Sequence, residues 1–181
     1  MRRLYIPGLK RAAVLLWGDD GLNEIAQALQ DDTREEFFRV VQTDDWIATR
    51  HVIRWNYAVH HGPARMSLPK IREYLDRAFD FSYGVVRRSM LRMADPAVLT
   101  PRVGPMWKEE HTHGALEAAL DPGGKSVTFR LSDHPFTETP QTRGGMAENY
   151  RYAYSLTRAK NVIETHALEK PGTMVFRVRW T

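Results

Sequence analysis

Thr173-Met-Val-Phe-Arg-Val-Arg-Trp-Thr181 alternates strictly: Met174, Phe176, Val178 and Trp180 face one way, and Thr173, Arg177 and Arg179, with Val175, face the other. Period-two alternation of this length marks a strand with one buried face. Val162-Ile-Glu-Thr-His-Ala-Leu168 runs into it across Glu169-Lys-Pro-Gly172, so the two arms read as a β-hairpin. An apolar strand needs a cover, and the rest of the chain has to supply it. Trp180 is expected in the core, so loss of the last five residues is expected to unfold the domain.

Upstream, a helix is expected over 146–160, entered through Gly144-Gly145, with Met146, Tyr150, Ala153, Tyr154 and Thr157 inward. Before it, 132–143 is a polar, proline-containing connection. Gly114 to Leu120 and Lys125 to Leu131 read as two strands around the turn Asp121-Pro-Gly-Gly124. N-terminal to this, the pattern is helical. Leu9–Trp17 and Gly21–Leu29 are two pieces parted by Gly18-Asp-Asp-Gly21, with Asp20 as a cap. Thr33-Arg-Glu-Glu36 has the capping-box pattern and carries Phe37, Phe38, Val40 and Val41 toward the core. Asp44 or Asp45 caps a helix from Trp46 to about His60 with Ala48, Val52, Trp55 and Val59 on one face. Ser67-Leu-Pro69 starts another with Ile71, Leu75, Ala78 and Phe79 inward. A helix over 81–93 puts Val85, Val86, Met90 and Met93 inward and Arg87, Arg88 and Arg92 outward, and Asp95-Pro96 caps the next turn. The fold class is therefore α+β: a helical N-terminal half, 1–113, packed on a C-terminal antiparallel sheet of β-β-α-β-β order, 114–181, in a single domain.

Composition narrows the function. The 181 residues include no cysteine, which excludes disulfides, thiolate metal sites, iron–sulfur clusters and a cysteine nucleophile. The longest wholly apolar run, Ala12 to Trp17, is too short to span a bilayer, and the basic start leads into no signal sequence. A cytoplasmic location is expected. The net charge of +4 is spread along the chain rather than gathered on one face, so nucleic acid is not the expected partner.

The order Gly18-Asp19-Asp20-Gly21-Leu22, Asp45-Trp46, Asp95-Pro96-Ala97-Val98-Leu99, Trp107 to Gly114, Gly144-Gly145 and Phe176-Arg-Val-Arg-Trp180 resembles a bacterial family expanded as paralogues in myxobacteria. The C-terminal half resembles the vinyl-reductase and Bet3-type fold, the haem-NO-binding-like architecture of bacterial small-molecule sensor domains. The resemblance covers nearly the whole chain. It implies a sensor-type fold and a homodimer, and it implies no reaction. Relatives with a metal or thiol near the last hairpin use cysteines, which this chain lacks.

Candidate sites follow from residue chemistry. In Lys108-Glu-Glu-His-Thr-His113, His111 and His113 would share one side of a strand, as metal ligands do, with Glu109, His134 and His166 as candidates for the further ligands. The structural alternative is a solvated segment. His60-His61 is a second histidine pair, though adjacent side chains diverge. The paired acids, Glu109-Glu110 among them, mostly sit where helices begin, and capping explains them. Gly144-Gly145 beside Arg143 could offer backbone amides to an anion. Trp55, Trp107, Tyr150, Tyr154 and Phe176 could line an apolar ligand pocket, against the plainer reading of core packing. His166, Arg177 and Arg179 mark a mixed face suited to a dimer contact or a regulatory ligand. No nucleophile elbow, phosphate loop or dinucleotide fingerprint is present. The expected function is thus a non-enzymatic signalling or scaffold domain that dimerises and binds a protein partner or a small apolar ligand. No cofactor is called for, with haem or zinc left open. The alternative is a metal- or haem-binding protein, or an enzyme, built on His111, His113 and His134.

Overall fold

The computed structural model describes residues 1–40 and 45–181. The architecture is α+β, with helices first and a four-stranded antiparallel sheet last. The chain divides into two compact units, Met1–Gly84 and Val85–Thr181. Helix α6 (Val103–Glu110) packs on strand β1 (Ala115–Leu120) within the second unit.

The first unit is built from α1 (Ile6–Ala28), α2 (Asp31–Phe38), α3 (Thr49–His61) and the first part of α4 (Leu68–Met93). The helix over 6–28 is broken at Gly18, as its glycines and aspartates predict, and α4 is broken at Gly84. Their φ/ψ pairs, 67°/−170° and 64°/170°, lie in a region that essentially only glycine occupies. The stripe Val52, Trp55 and Val59 is buried, as are Ile71, Leu75 and Ala78.

Several local expectations change. Thr33 is not a cap: it lies inside α2, buried, with its hydroxyl 2.9 Å from His51 Nδ1. Phe37 is buried, while Phe38 and Val40 are exposed; Val41 and Asp44 lie outside the described residues. Helix α3 starts at Thr49 rather than Trp46. The preceding residues are held extended by the N-terminus: Arg3 N–H donates to Asp45 O and Ile47 N–H to Met1 O, each at 2.9 Å.

In the second unit, Asp95 caps the short α5 (Pro96–Leu99), its carboxylate accepting from Ala97 N–H at 2.8 Å. The sheet has the order β1-β2-β4-β3, with β2 spanning Ser126–Ser132, β3 Ile163–Lys170 and β4 Thr173–Arg179. Val127, Phe129 and Leu131 on β2 and Met174, Phe176 and Val178 on β4 are all buried, so the alternation read from the sequence holds. The register pairs Phe129 with Phe176, whose rings stack at 4.6 Å. Trp180 is only half-buried, just past the strand, against the Tyr154 ring at 5.4 Å.

Helix α7 runs over Pro140–Ser155 and covers β3 and β4. Its start is fixed by a capping box: Thr139 Oγ1 accepts from Thr142 N–H while Thr142 Oγ1 accepts from Thr139 N–H, both at 3.2 Å. Gly144-Gly145 therefore lie inside the helix, where their amides serve it, and the anion-binding entry fails. The last part of α4 is also reversed from expectation. Val85, Val86, Met90 and Met93 are 71%, 75%, 60% and 68% exposed, and Leu91 is the buried residue. The break at Gly84 resets the helical phase, so the stripe begun at Ile71 does not continue.

Candidate functional site

The C-terminal end of α6 places Trp107 and His111 one helical turn apart. His111 follows the helix in extended conformation, and its ring lies flat on the Trp107 indole at 3.6 Å and 4°. Trp107 is oriented by its Nε1–H, which donates to Gly114 O at 3.2 Å. Gly114 permits this corner: its φ is 70°, and a Cβ there would sit 2.7 Å from Ser132 O and 2.8 Å from His134 Cβ. The chain returns along β2 and delivers His134 edge-on to both rings, 4.9 Å from Trp107 and 5.1 Å from His111. His134 begins a single helical turn, Pro135–Thr137, and its Nδ1 accepts from Phe136 N–H at 3.2 Å. Phe136 closes the cluster, 4.6 Å from His134.

The electrostatics are those of two neutral imidazoles. Burial, with the neighbouring His134 second, pushes His111 down to about 3. Burial likewise pushes His134 down to about 4. His134 spends its Nδ1 lone pair on a backbone amide, whereas His111 Nδ1 is buried with no hydrogen-bond partner. A buried imidazole nitrogen left unpaired costs stability and is poised to accept or donate if a partner arrives.

The sequence candidates sort as follows. His111 and His134 come together, while His113 is exposed with its Nδ1 against Thr112 Oγ1 at 2.5 Å. Among the described residues no group of three or more His, Asp or Glu is arranged to hold a metal ion. Trp55 belongs to the first unit, where it is wholly buried, stacked on Phe37 at 4.3 Å and donating Nε1–H to Tyr74 Oη at 2.7 Å. Tyr150, Tyr154 and Phe176 do converge, around Phe129, at 4.8, 5.9 and 4.6 Å. Tyr154 Oη lies 3.3 Å from Thr100 Oγ1, and burial pushes its hydroxyl up to about 12.

His166 does not share a face with Arg177 and Arg179. It pairs with Phe176 in register, and its ring lies beside Gly144 of α7. Its Nδ1 is 3.1 Å from Glu164 Oε2. On the opposite face Arg177 Nε donates to Thr128 Oγ1 at 3.2 Å and lies 3.7 Å from Asp121. His60 is buried, and His61 is exposed on the Tyr57 ring at 4.1 Å, so that pair diverges. Glu110 is ion-paired with Arg87 at 2.9 Å. The Trp107–His111 stack had a sequence signal, an aromatic and an imidazole four residues apart at a helix end. A solvated segment before the strand carries no such stack, so the signal goes unread there.

Comparison with solved structures gives the fold a class. The chain aligns over its full length with H-NOX domains. A triple mutant of the H-NOX protein from S. oneidensis in its Fe(II) ligation state has a TM-score of 0.66 at 14% identity, with 96% of that chain covered. A Tt H-NOX double variant gives 0.64 at 13%, and an oxygen-binding H-NOX domain related to soluble guanylate cyclases gives 0.62 at 13%, each covered over 95%. Heme is named in the description of a further match, at 0.62 and 13%. At these identities the likeness is one of fold, and it agrees with the haem-NO-binding-like resemblance seen in the C-terminal half. No family model and no curated protein matches the sequence, and nothing in these comparisons supports the narrower likeness to a myxobacterial family.

Proposed function

We propose that this chain is a non-enzymatic signalling domain. It takes a small, mostly apolar ligand at the Trp107–His111–His134–Phe136 cluster, works as a homodimer in the cytoplasm, and passes the signal to a protein partner. The observation that carries the reading is the unpartnered, buried Nδ1 of His111 within an aromatic cluster, in a chain that aligns end to end with a sensor fold. A ligand with one hydrogen-bonding atom on an apolar body would complete that nitrogen and keep the stack's apolar surroundings. No three-residue metal group accompanies it among the described residues, and the sequence holds no nucleophile elbow or phosphate loop.

Haem is the second reading, because solved relatives in fold carry it in their descriptions. The donor chemistry is present: a neutral imidazole is the form that ligates iron. At Nδ1 of either ring the packing does not fit. Trp107 lies against one whole face of His111, its Nδ1 is shielded from solvent, and His134 Nδ1 is already engaged. Iron at either Nδ1 would require the cluster to open.

Three probes separate these readings on untagged protein: protoporphyrin IX, haemin and zinc ion, followed by melting temperature and absorbance. The expected result is stabilisation by metal-free protoporphyrin that is weakened in His111→Phe, with no effect of zinc. A haemin Soret shift lost in His111→Phe, with no binding of the metal-free ring, would replace the ligand reading by the haem one. No response to any probe would remove the ligand part. Sedimentation as a strict monomer at high concentration would remove the dimer.

A further inference from the structure

The C-terminal part of α4, residues 85–93, turns its apolar side to solvent. At about 100° per residue, Val85, Val86, Met90 and Met93 occupy an arc of about 140°, centred nearly opposite the buried Leu91. Four neighbouring large apolar side chains, each more than half exposed, are not the scattered exposure that any surface shows. Two of the four are methionines, whose flexible thioethers adapt to a partner's surface. The helix is basic. Arg87, Arg88 and Arg92 are its charged residues, and it carries no acid. Arg92, exposed, lies one heptad from Val85 on one border of the stripe. Arg87, on the other border, is paired with Glu110.

We infer that this stripe docks an amphipathic helix of a partner protein whose flanks are acidic. The apolar arc matches the i, i+3, i+4, i+7 anchors of such a helix, and the arginine border selects glutamate or aspartate beside them. A second copy of this chain is disfavoured by the same charges, since a two-fold contact along the helix would set arginine borders against each other. The inference stands apart from the ligand reading, because it uses none of the residues of the histidine cluster.

The test uses the full chain and a labelled synthetic helix with leucines at that spacing and glutamates on both flanks. Its lysine-flanked and scrambled counterparts are the controls, and fluorescence anisotropy is the readout. Saturable binding is expected, weakened at least about tenfold for the lysine version and about tenfold by Met90→Asp. Exposure at position 90 lets that variant fold, and circular dichroism checks it. Binding that is equal for the acidic and basic helices, or untouched by Met90→Asp, overturns the inference. So does self-association abolished by Met90→Asp, which would make a second copy the occupant. Binding to anionic vesicles without binding to the acidic helix would make it a membrane contact instead.

Discussion

Two tryptophans of similar burial sit in opposite kinds of cluster. Trp55, in the first unit, stacks on Phe37 and gives its N–H to Tyr74, whose hydroxyl lies 3.4 Å from Leu9 O. Trp17 covers the other side of that tyrosine at 5.4 Å. The Trp55 N–H and the Tyr74 hydroxyl both have partners, and burial pushes the Tyr74 hydroxyl well above its usual range, so it stays neutral. Trp107, in the second unit, gives its N–H to Gly114 but lies on an imidazole with an unpaired nitrogen, beside a second imidazole. The first cluster is closed. The second carries an unmet hydrogen bond and two groups that can titrate. Buried unpartnered atoms also occur in the first unit, at Arg3 Nε and Asn56 Oδ1; what sets the second cluster apart is that its unpartnered atom is an imidazole nitrogen stacked on an indole.

The largest effect that tests this comparison is Trp55→Ala. It removes a wholly buried indole and the N–H that Tyr74 Oη accepts, so a loss of about 3–5 kcal/mol is expected in a denaturant titration. A loss under about 1 kcal/mol would mean that the first cluster is not the anchor it looks. Tyr74→Phe is milder. It keeps the ring against Trp17 but strands the Trp55 N–H, at a cost of about 1–3 kcal/mol. If Tyr74→Phe proved neutral, the hydrogen-bonded order of the first cluster would not be what distinguishes it from the second.

What could be read from the sequence follows from what forces each element. The sheet was legible because one face is buried, so β2 and β4 must alternate, and any slip would expose Phe129 and Phe176 together. The stripe of α3 was legible for the same reason at a period of 3.6. The reversal over 85–93 was not, because apolar residues at helical spacing read as a buried face whether or not anything covers them. The start of α3 was missed because Trp46 and Ile47 are held by contacts with Arg2 and Met1, more than forty residues away in sequence. Of the site, the pairing of His111 with His134 was legible as chemistry, both being histidines flanking a hairpin. The role of Trp107 was not, since no helix is expected over 103–110 and the segment before Gly114 reads as a solvated lead into the strand. The split of His166 from Arg177 depends on the β3–β4 register, which a loop of uncertain turn type leaves open.

The finest test of the comparison is His111→Phe, which turns the second cluster into a copy of the first in kind. At neutral pH it removes the unpaired nitrogen while keeping a flat ring for Trp107, so a gain of about 1 kcal/mol is expected. The pH dependence gives the sharper reading. In the unfolded chain the two histidines titrate near 6.5, whereas in the folded protein His111 is held down to about 3 and His134 to about 4. Above the unfolded value both states are neutral and stability is flat. As pH falls below it, the unfolded chain takes up protons that the folded chain refuses. Stability then drops by at most about 1.4 kcal/mol per pH unit for each histidine, until the folded values are reached. His111→Phe should therefore lower the slope between pH 6 and about 5, before most carboxylates begin to titrate, while His134 and the burial-lowered His51 and His60 supply the rest. His134→Phe is the poorer probe, because it also removes the acceptor for Phe136 N–H. Equal slopes for the wild type and His111→Phe would show that His111 is solvated in solution, and the contrast between the clusters would then reduce to one of composition.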